Sequence, residues 1–109
     1  MSLALSALDA WKTAIDKGDI RQLSDLLADN FIFESSDCKQ EDKSSTLTRM
    51  AADSSFTVGD YVVYHEDENT IFGTHSMTPS KGAMLSIMYF AKFEANKCVF
   101  WKVHSHQPA

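Results

Sequence analysis

Three features of the sequence predict an α+β domain: two short amphipathic helices at the start, an apolar strand directly after them, and a later half of strands separated by polar breaks. Helices first and strands later, without β-α alternation, exclude a doubly wound parallel sheet. In the first helix Ala4, Leu8, Trp11 and Ile15 recur at the spacing of one face, while Asp9, Lys12, Thr13 and Asp16 cover the other. Gly18 ends it. Asp19 is then placed to cap a second helix, with Gln22 in the reciprocal position of a capping box, and Ile20, Leu23, Leu26 and Leu27 supply its buried stripe.

Residues 31–35, short and rich in aromatic and β-branched types, read as the first strand. The polar run 37–45 is expected to be a solvated loop, after which Leu47, Met50 and Ala51 give one or two turns of a third helix capped by the Ser44-Ser45-Thr46 cluster. Strands follow over 56–66, 70–77, 84–94 and 98–106. Asp67 to Asn69 form a tight polar connection, Pro79 to Gly82 a wider loop, and Ala95 to Lys97 a three-residue turn. Consecutive hairpins imply an antiparallel meander.

The chain of 109 residues holds one core, so residues 1–109 are expected to form a single domain. Its 44% apolar content is that of a globular protein. A net charge of −5 with its lysines scattered singly excludes the concentrated positive charge that a nucleic-acid partner needs. Asp9 and Lys12 interrupt the leading apolar run and no basic signal region precedes it, so no membrane partner and a cytoplasmic location are expected. Cys38 and Cys98 have no metal-ligand spacing, which points to two buried or half-buried thiols rather than a disulfide.

Strand 84–94 is apolar on both sides. Leu85, Ile87, Tyr89, Ala91 and Phe93 share one face, and Met84, Met88 and Phe90 the other. A sheet with helices on one side needs a cover for its back, so a homodimer through the outer face of Met84, Met88 and Phe90 is expected.

The junction from Trp11 through Gly18-Asp19, the run Leu26-Leu27-Ala28-Asp29 entering the strand 31–35, and the final hairpin Tyr89-Phe90-Ala91-Lys92-Phe93-Glu94 to Val99-Phe100-Trp101-Lys102 carry a family resemblance. Together they resemble the nuclear transport factor 2-like superfamily, in its SnoaL-like and ketosteroid isomerase-like branch. The resemblance implies a cone-shaped α+β barrel: helices packed in the concave face of a strongly curved, mostly antiparallel sheet, around an apolar pocket, usually in a dimer. No cofactor is expected. Ketosteroid isomerases of this family stabilise an enolate with a helix tyrosine and a protonated strand aspartic acid, and use an aspartate base after the first strand. A gapless alignment on Gly18-Asp19 puts Trp11, Tyr89 and Ser35 at those three positions, so the isomerase residues are not retained. Serine lacks the basicity to take a carbon-bound proton.

The reading is therefore a small-molecule-binding domain for an apolar or aromatic organic molecule. Trp11, Ile15, Phe33, Ser35, Tyr89, Ala91 and Trp101 are expected to line the pocket, with Trp101 turned inward only if the final turn has three residues. The alternative is an isomerase, lyase or cyclase. Its candidate groups are Tyr89 as donor and His75, Glu34 or Asp37 as base, with Tyr61 facing His75 across a hairpin. Alternation groups Tyr61, Val63 and His65 on one side. His65, His75, His104 and His106 lack a third convergent ligand, so no metal site is expected. There is no G-x-S-x-G turn and no glycine-rich phosphate loop.

Overall fold

The computed structural model describes residues 3–52 and 56–106, with the side chains of all of these except His106. Helix α1 (Leu3–Lys17) and helix α2 (Arg21–Leu26) lead into strand β1 (Leu27–Glu34), followed by β2 (Gln40–Asp42), helix α3 (Lys43–Ala52), β3 (Phe56–Glu66), β4 (Thr70–Pro79), β5 (Leu85–Glu94) and β6 (Lys97–His106). The strands form one sheet in the order β2-β1-β6-β5-β4-β3. All neighbours are antiparallel except β1 and β6. Helices pack on one face of this curved sheet, giving the α+β cone.

Helix α1 buries Ala4, Ala7, Leu8, Ala10, Trp11, Ala14 and Ile15, a wider stripe than its large residues alone suggest. The alanines matter here, since small side chains let neighbouring backbones approach. Gly18 stops the helix at φ +68°, its N–H bonded to the Ala14 carbonyl at 2.9 Å. The capping box is not made. Ile20 holds the N-cap position without a side-chain bond, Asp19 accepts from the Arg21 N–H and guanidinium, and Gln22 donates to Asp9 on α1. Leu23 and Leu27 are fully buried, with Ile20 and Leu26 packed at the margin.

The segment expected as a loop over 37–45 contains β2, because Glu41 and its neighbours find unpaired backbone on β1: Ile32 faces Asp42 and Glu34 faces Gln40. Strand β1 begins four residues before the sequence pattern suggests, at Leu27 rather than Phe31. Helix α3 is capped by Asp42, whose Oδ1 accepts from the Ser45 N–H at 2.9 Å, and not by the serine cluster. Thr46 turns inward instead, completely buried, donating to the Asp42 carbonyl, while Ala51 lies exposed. Cys98 is buried but Cys38 is exposed, which corrects the expectation of two sequestered thiols.

Two backbone irregularities set which side chains face inward. The turn between β5 and β6 has two residues, Ala95 and Asn96, at φ +49° and +66°. A two-residue turn by itself would point Trp101 outward. However, Phe93 pairs with Cys98 and Lys92 with Phe100, so Val99 is an extra residue in β6 that restores Trp101 to the inner face. In β3 the register shifts between Gly59 and Val62, where Asp60 takes φ +52°, and again between Val63 and His65. Simple alternation therefore fails: His65 pairs with Phe72 and bonds Asp67, apart from Tyr61.

Candidate small-molecule cavity

Between the inner sheet face and the helices lies a cavity of about 720 Å³. Its apolar wall comes from every layer: Leu8, Trp11 and Ile15 of α1, Phe33 of β1, Met50 of α3, Val58 of β3, Met77 of β4, Ile87 of β5, and Trp101 and Val103 of β6. Among the described residues the charged lining groups are Asp37, Lys39, Glu41 and Arg49. Each of these is already paired. Arg49 Nη2 meets Glu41 Oε1 at 2.6 Å and its Nε reaches both carboxylate oxygens at 3.1 Å, while its guanidinium lies 5.1 Å from the Phe33 ring centroid. Lys39 Nζ lies 3.7 Å from Asp37 Oδ2.

A chain of aromatic rings runs behind and along this wall. Trp11 sits 5.2 Å from Trp101 and 5.9 Å from Phe33 between centroids; Tyr89 stacks on Trp101 at 5.5 Å and 15°. His75 continues the series, 6.0 Å from Tyr89 and 5.4 Å from Tyr61. The His75 Nδ1 lies 2.9 Å from the Ser76 carbonyl oxygen. A carbonyl can only accept, so Nδ1 carries the proton and Nε2 keeps its lone pair. Burial pushes the His75 pKa below the ordinary imidazole value, with the Ser76 contact opposing, and so favours the neutral ring. Burial, with Asp16 next in effect, pushes the Tyr61 phenol upward, so it stays protonated.

Of the residues expected to line a pocket, Trp11, Ile15, Phe33, Ser35 and Trp101 lie on the cavity wall. Tyr89 and Ala91 do not. Both are completely buried in the layer behind it, and the Tyr89 hydroxyl donates to the Val62 carbonyl at 3.2 Å. Trp11 Nε1 is buried without a hydrogen-bond partner among the described residues. Glu34 faces away from the cavity, held by Lys102 Nζ at 2.5 Å and Gln40 Nε2 at 2.9 Å. Lys102, then Gln40, holds its carboxyl below the usual range. Asp37 reaches the charged lining, where the Ser35 hydroxyl and the Lys39 N–H hold its pKa down. A carboxylate so stabilised is a poor base.

His104 is exposed and lies on the outer face opposite Met88, away from His75. The His106 side chain lies outside the described residues. Among the described residues no group of three or more His, Cys, Asp or Glu is arranged to hold a metal. The Arg49–Glu41 pair is a feature sequence reading missed. Nothing in the spacing of those two residues announces a contact, since β2 was not expected as a strand.

The sequence matches no family model and no curated protein. Solved structures are more informative. An NTF2-like protein of unknown function from Cytophaga hutchinsonii superposes with a TM-score of 0.72 at 17% identity, covering 95% of this chain and 87% of that one. An LEH-like epoxide hydrolase from M. tuberculosis gives 0.71 at 12% identity over 95% and 83% of the two chains. A candidate ketosteroid isomerase from Kribbella flavida gives 0.77 at 12% identity over 98% and 77%. The chain has the nuclear transport factor 2-like fold. Among the described residues, no helix is long and apolar enough to cross a membrane.

Proposed function

We propose that this chain binds a small, uncharged, largely apolar or aromatic organic molecule inside the cone, without the acid and base residues of the ketosteroid isomerases. One observation carries the reading: a cavity of about 720 Å³ with an aromatic and aliphatic wall, whose four charged lining groups among the described residues are already paired. An ionic ligand would bring an unmatched charge against that wall, at a cost of several kcal/mol on the order expected for burial of a lone ion. Native mass spectrometry of freshly purified protein, together with quenching of Trp11 and Trp101 fluorescence by a panel of neutral bicyclic compounds, tests it. Neither a co-purified mass nor saturable quenching would end the proposal.

An isomerase, lyase or cyclase is the second reading, favoured by one specific observation. His75 keeps an unprotonated Nε2 and its ring lies 5.4 Å from that of Tyr61, so an imidazole base and a neutral donor share the cavity wall. Tyr89 and Glu34 are committed to structural partners. Turnover of any cavity ligand that is lost in His75→Gln while binding persists would favour this reading over binding alone.

Self-association belongs to the same proposal. The outer sheet face exposes Met84 at 46%, Met88 at 42% and Val62 at 43%, with Val62, Thr74, Met88 and His104 in one cross-strand row. A second copy laid on this face would form an isologous homodimer. Sedimentation as a monomer at micromolar concentration overturns it. The cytoplasm is the proposed location, supported by two free cysteines and the net charge of −5; cell fractionation checks it.

A further inference from the structure

We infer that the cavity selects uncharged ligands presenting an O–H or N–H donor, which His75 Nε2 accepts. This rests on the binding reading above and adds the chemistry of one end of the ligand. Ser76 offers a carbonyl oxygen 2.9 Å from Nδ1, so the ring proton is fixed on that side and Nε2 is an acceptor. His75 is on the cavity wall, and the groups around it leave Nε2 to a ligand: Tyr61 on β3 and Tyr89 on β5 meet its ring at 5.4 and 6.0 Å, and Tyr89 has its hydroxyl on Val62.

A ligand filling the cavity displaces the water that would otherwise hydrate Nε2. If it offers only carbon there, a buried acceptor is left unpaired; if it offers only an acceptor, two lone pairs meet. A hydroxyl or an N–H resolves both. The Tyr61 ring lies 5.4 Å from that of His75 on the same wall and burial keeps its phenol protonated, so the wall holds a donor as well as the acceptor. The surrounding wall of Trp101, Ile87, Met77 and Val58 then fits a flat apolar body.

The test compares 5-indanol, its methyl ether and indane, three neutral compounds of nearly equal body that carry a donor, only an acceptor, or neither. Binding to the full chain is read by tryptophan quenching and by calorimetry. Indanol should bind roughly tenfold or more tighter than either analogue, and in His75→Phe the order should reverse, with indane ahead because it loses no hydration. A second measurement needs no variant. As pH falls through the His75 pKa, Nε2 gains a proton and can no longer accept, so the ratio of indanol to ether affinity should collapse, while indane weakens because it would dehydrate a charged ring. Equal binding of indane and indanol to the wild-type chain, or a preference that survives both His75→Phe and acid, overturns the inference while leaving the cavity reading intact. If none of the three binds, the cavity reading fails and this one with it.

Discussion

Gly73 offers a sharp test of how the inner face is built, because no feature of its φ requires glycine. A Cβ at this position would lie 1.9 Å from the Val62 carbonyl oxygen, 2.6 Å from the Tyr89 hydroxyl and 2.9 Å from its Cζ. The Tyr89 ring thus crosses β4 where a side chain is missing, and its hydroxyl bonds to Val62 on β3 through that gap. In Gly73→Ala the ring must withdraw and β3 must shift by more than a flexible side chain could absorb. Overpacking of this kind costs about 1–3 kcal/mol. Loss of the Tyr89 to Val62 hydrogen bond adds about 1 kcal/mol, and the smaller entropy of an alanine in the unfolded chain returns roughly 0.4–1 kcal/mol. The expected net loss is about 1–3.5 kcal/mol, or a fall in Tm on the order of 5–25 °C for a domain of this size. Urea denaturation with a shared m-value measures it, and Tyr89→Phe in the same background identifies the cause. Once the ring has moved, deleting the hydroxyl should cost less than the ~1 kcal/mol it costs alone, a coupling of at least about 0.5 kcal/mol. A Gly73→Ala protein within about 0.5 kcal/mol of the parent would refute the close approach of Tyr89 to β4.

Deleting Val99 should leave Trp101 facing inward, because the pairs Phe93–Cys98, Lys92–Phe100 and Ala91–Trp101 then follow one another without a bulge; a tryptophan emission spectrum unchanged from the parent checks it, and a red-shifted, solvent-accessible tryptophan would refute the register. Stability should fall in acid in two stages. His75 has a depressed pKa in the folded state, so its contribution is present above the unfolded value of 6.5 and is lost as pH falls through the folded one; a His75→Phe titration should lack that first limb. The second limb comes from carboxylates with lowered pKa, Asp67 through its bonds to Asn69, His65 and Thr70, and Asp19 held at about 2 by Arg21. Their contribution is present above the unfolded value of 3.8 and is lost toward pH 2, so urea midpoints in Asp67→Asn should show a shallower acid slope. On the alkaline side burial pushes the Cys98 thiol up to about 12 from 9.0, a stabilising effect present below pH 9 that is lost as pH rises, and Cys98→Ala should flatten that limb of the stability curve.

The order of elements, the apolar face of α1 and the strand identity of the later half follow from local chemistry, because periodicity and turn residues act over a few neighbours. Gly18 is legible for the same reason, the glycine that ends α1 at a positive φ, whereas the turn expected over Ala95 to Lys97 closes in two residues, Ala95 and Asn96. Strand β2, the inward turn of Thr46 and the Arg49–Glu41 contact are not local. They arise because β1 had backbone groups to satisfy and β2 was close enough to pair with them.

Which aromatic faces the cavity was likewise beyond the sequence. Alternation assigns residues to two faces, but a single bulge exchanges the faces, and Val99 and Asp60 introduce bulges through pairing with a distant strand. Tyr89 keeps the inner face that alternation gives it, but its ring lies across Gly73 and is sealed behind the wall, whereas Tyr61 and His75 stand on it. Local chemistry set every element but β2, the order of the elements and an apolar interior. Register across the strands, and so the chemistry facing the cavity, was decided only when backbone hydrogen bonds far apart in the chain were satisfied together.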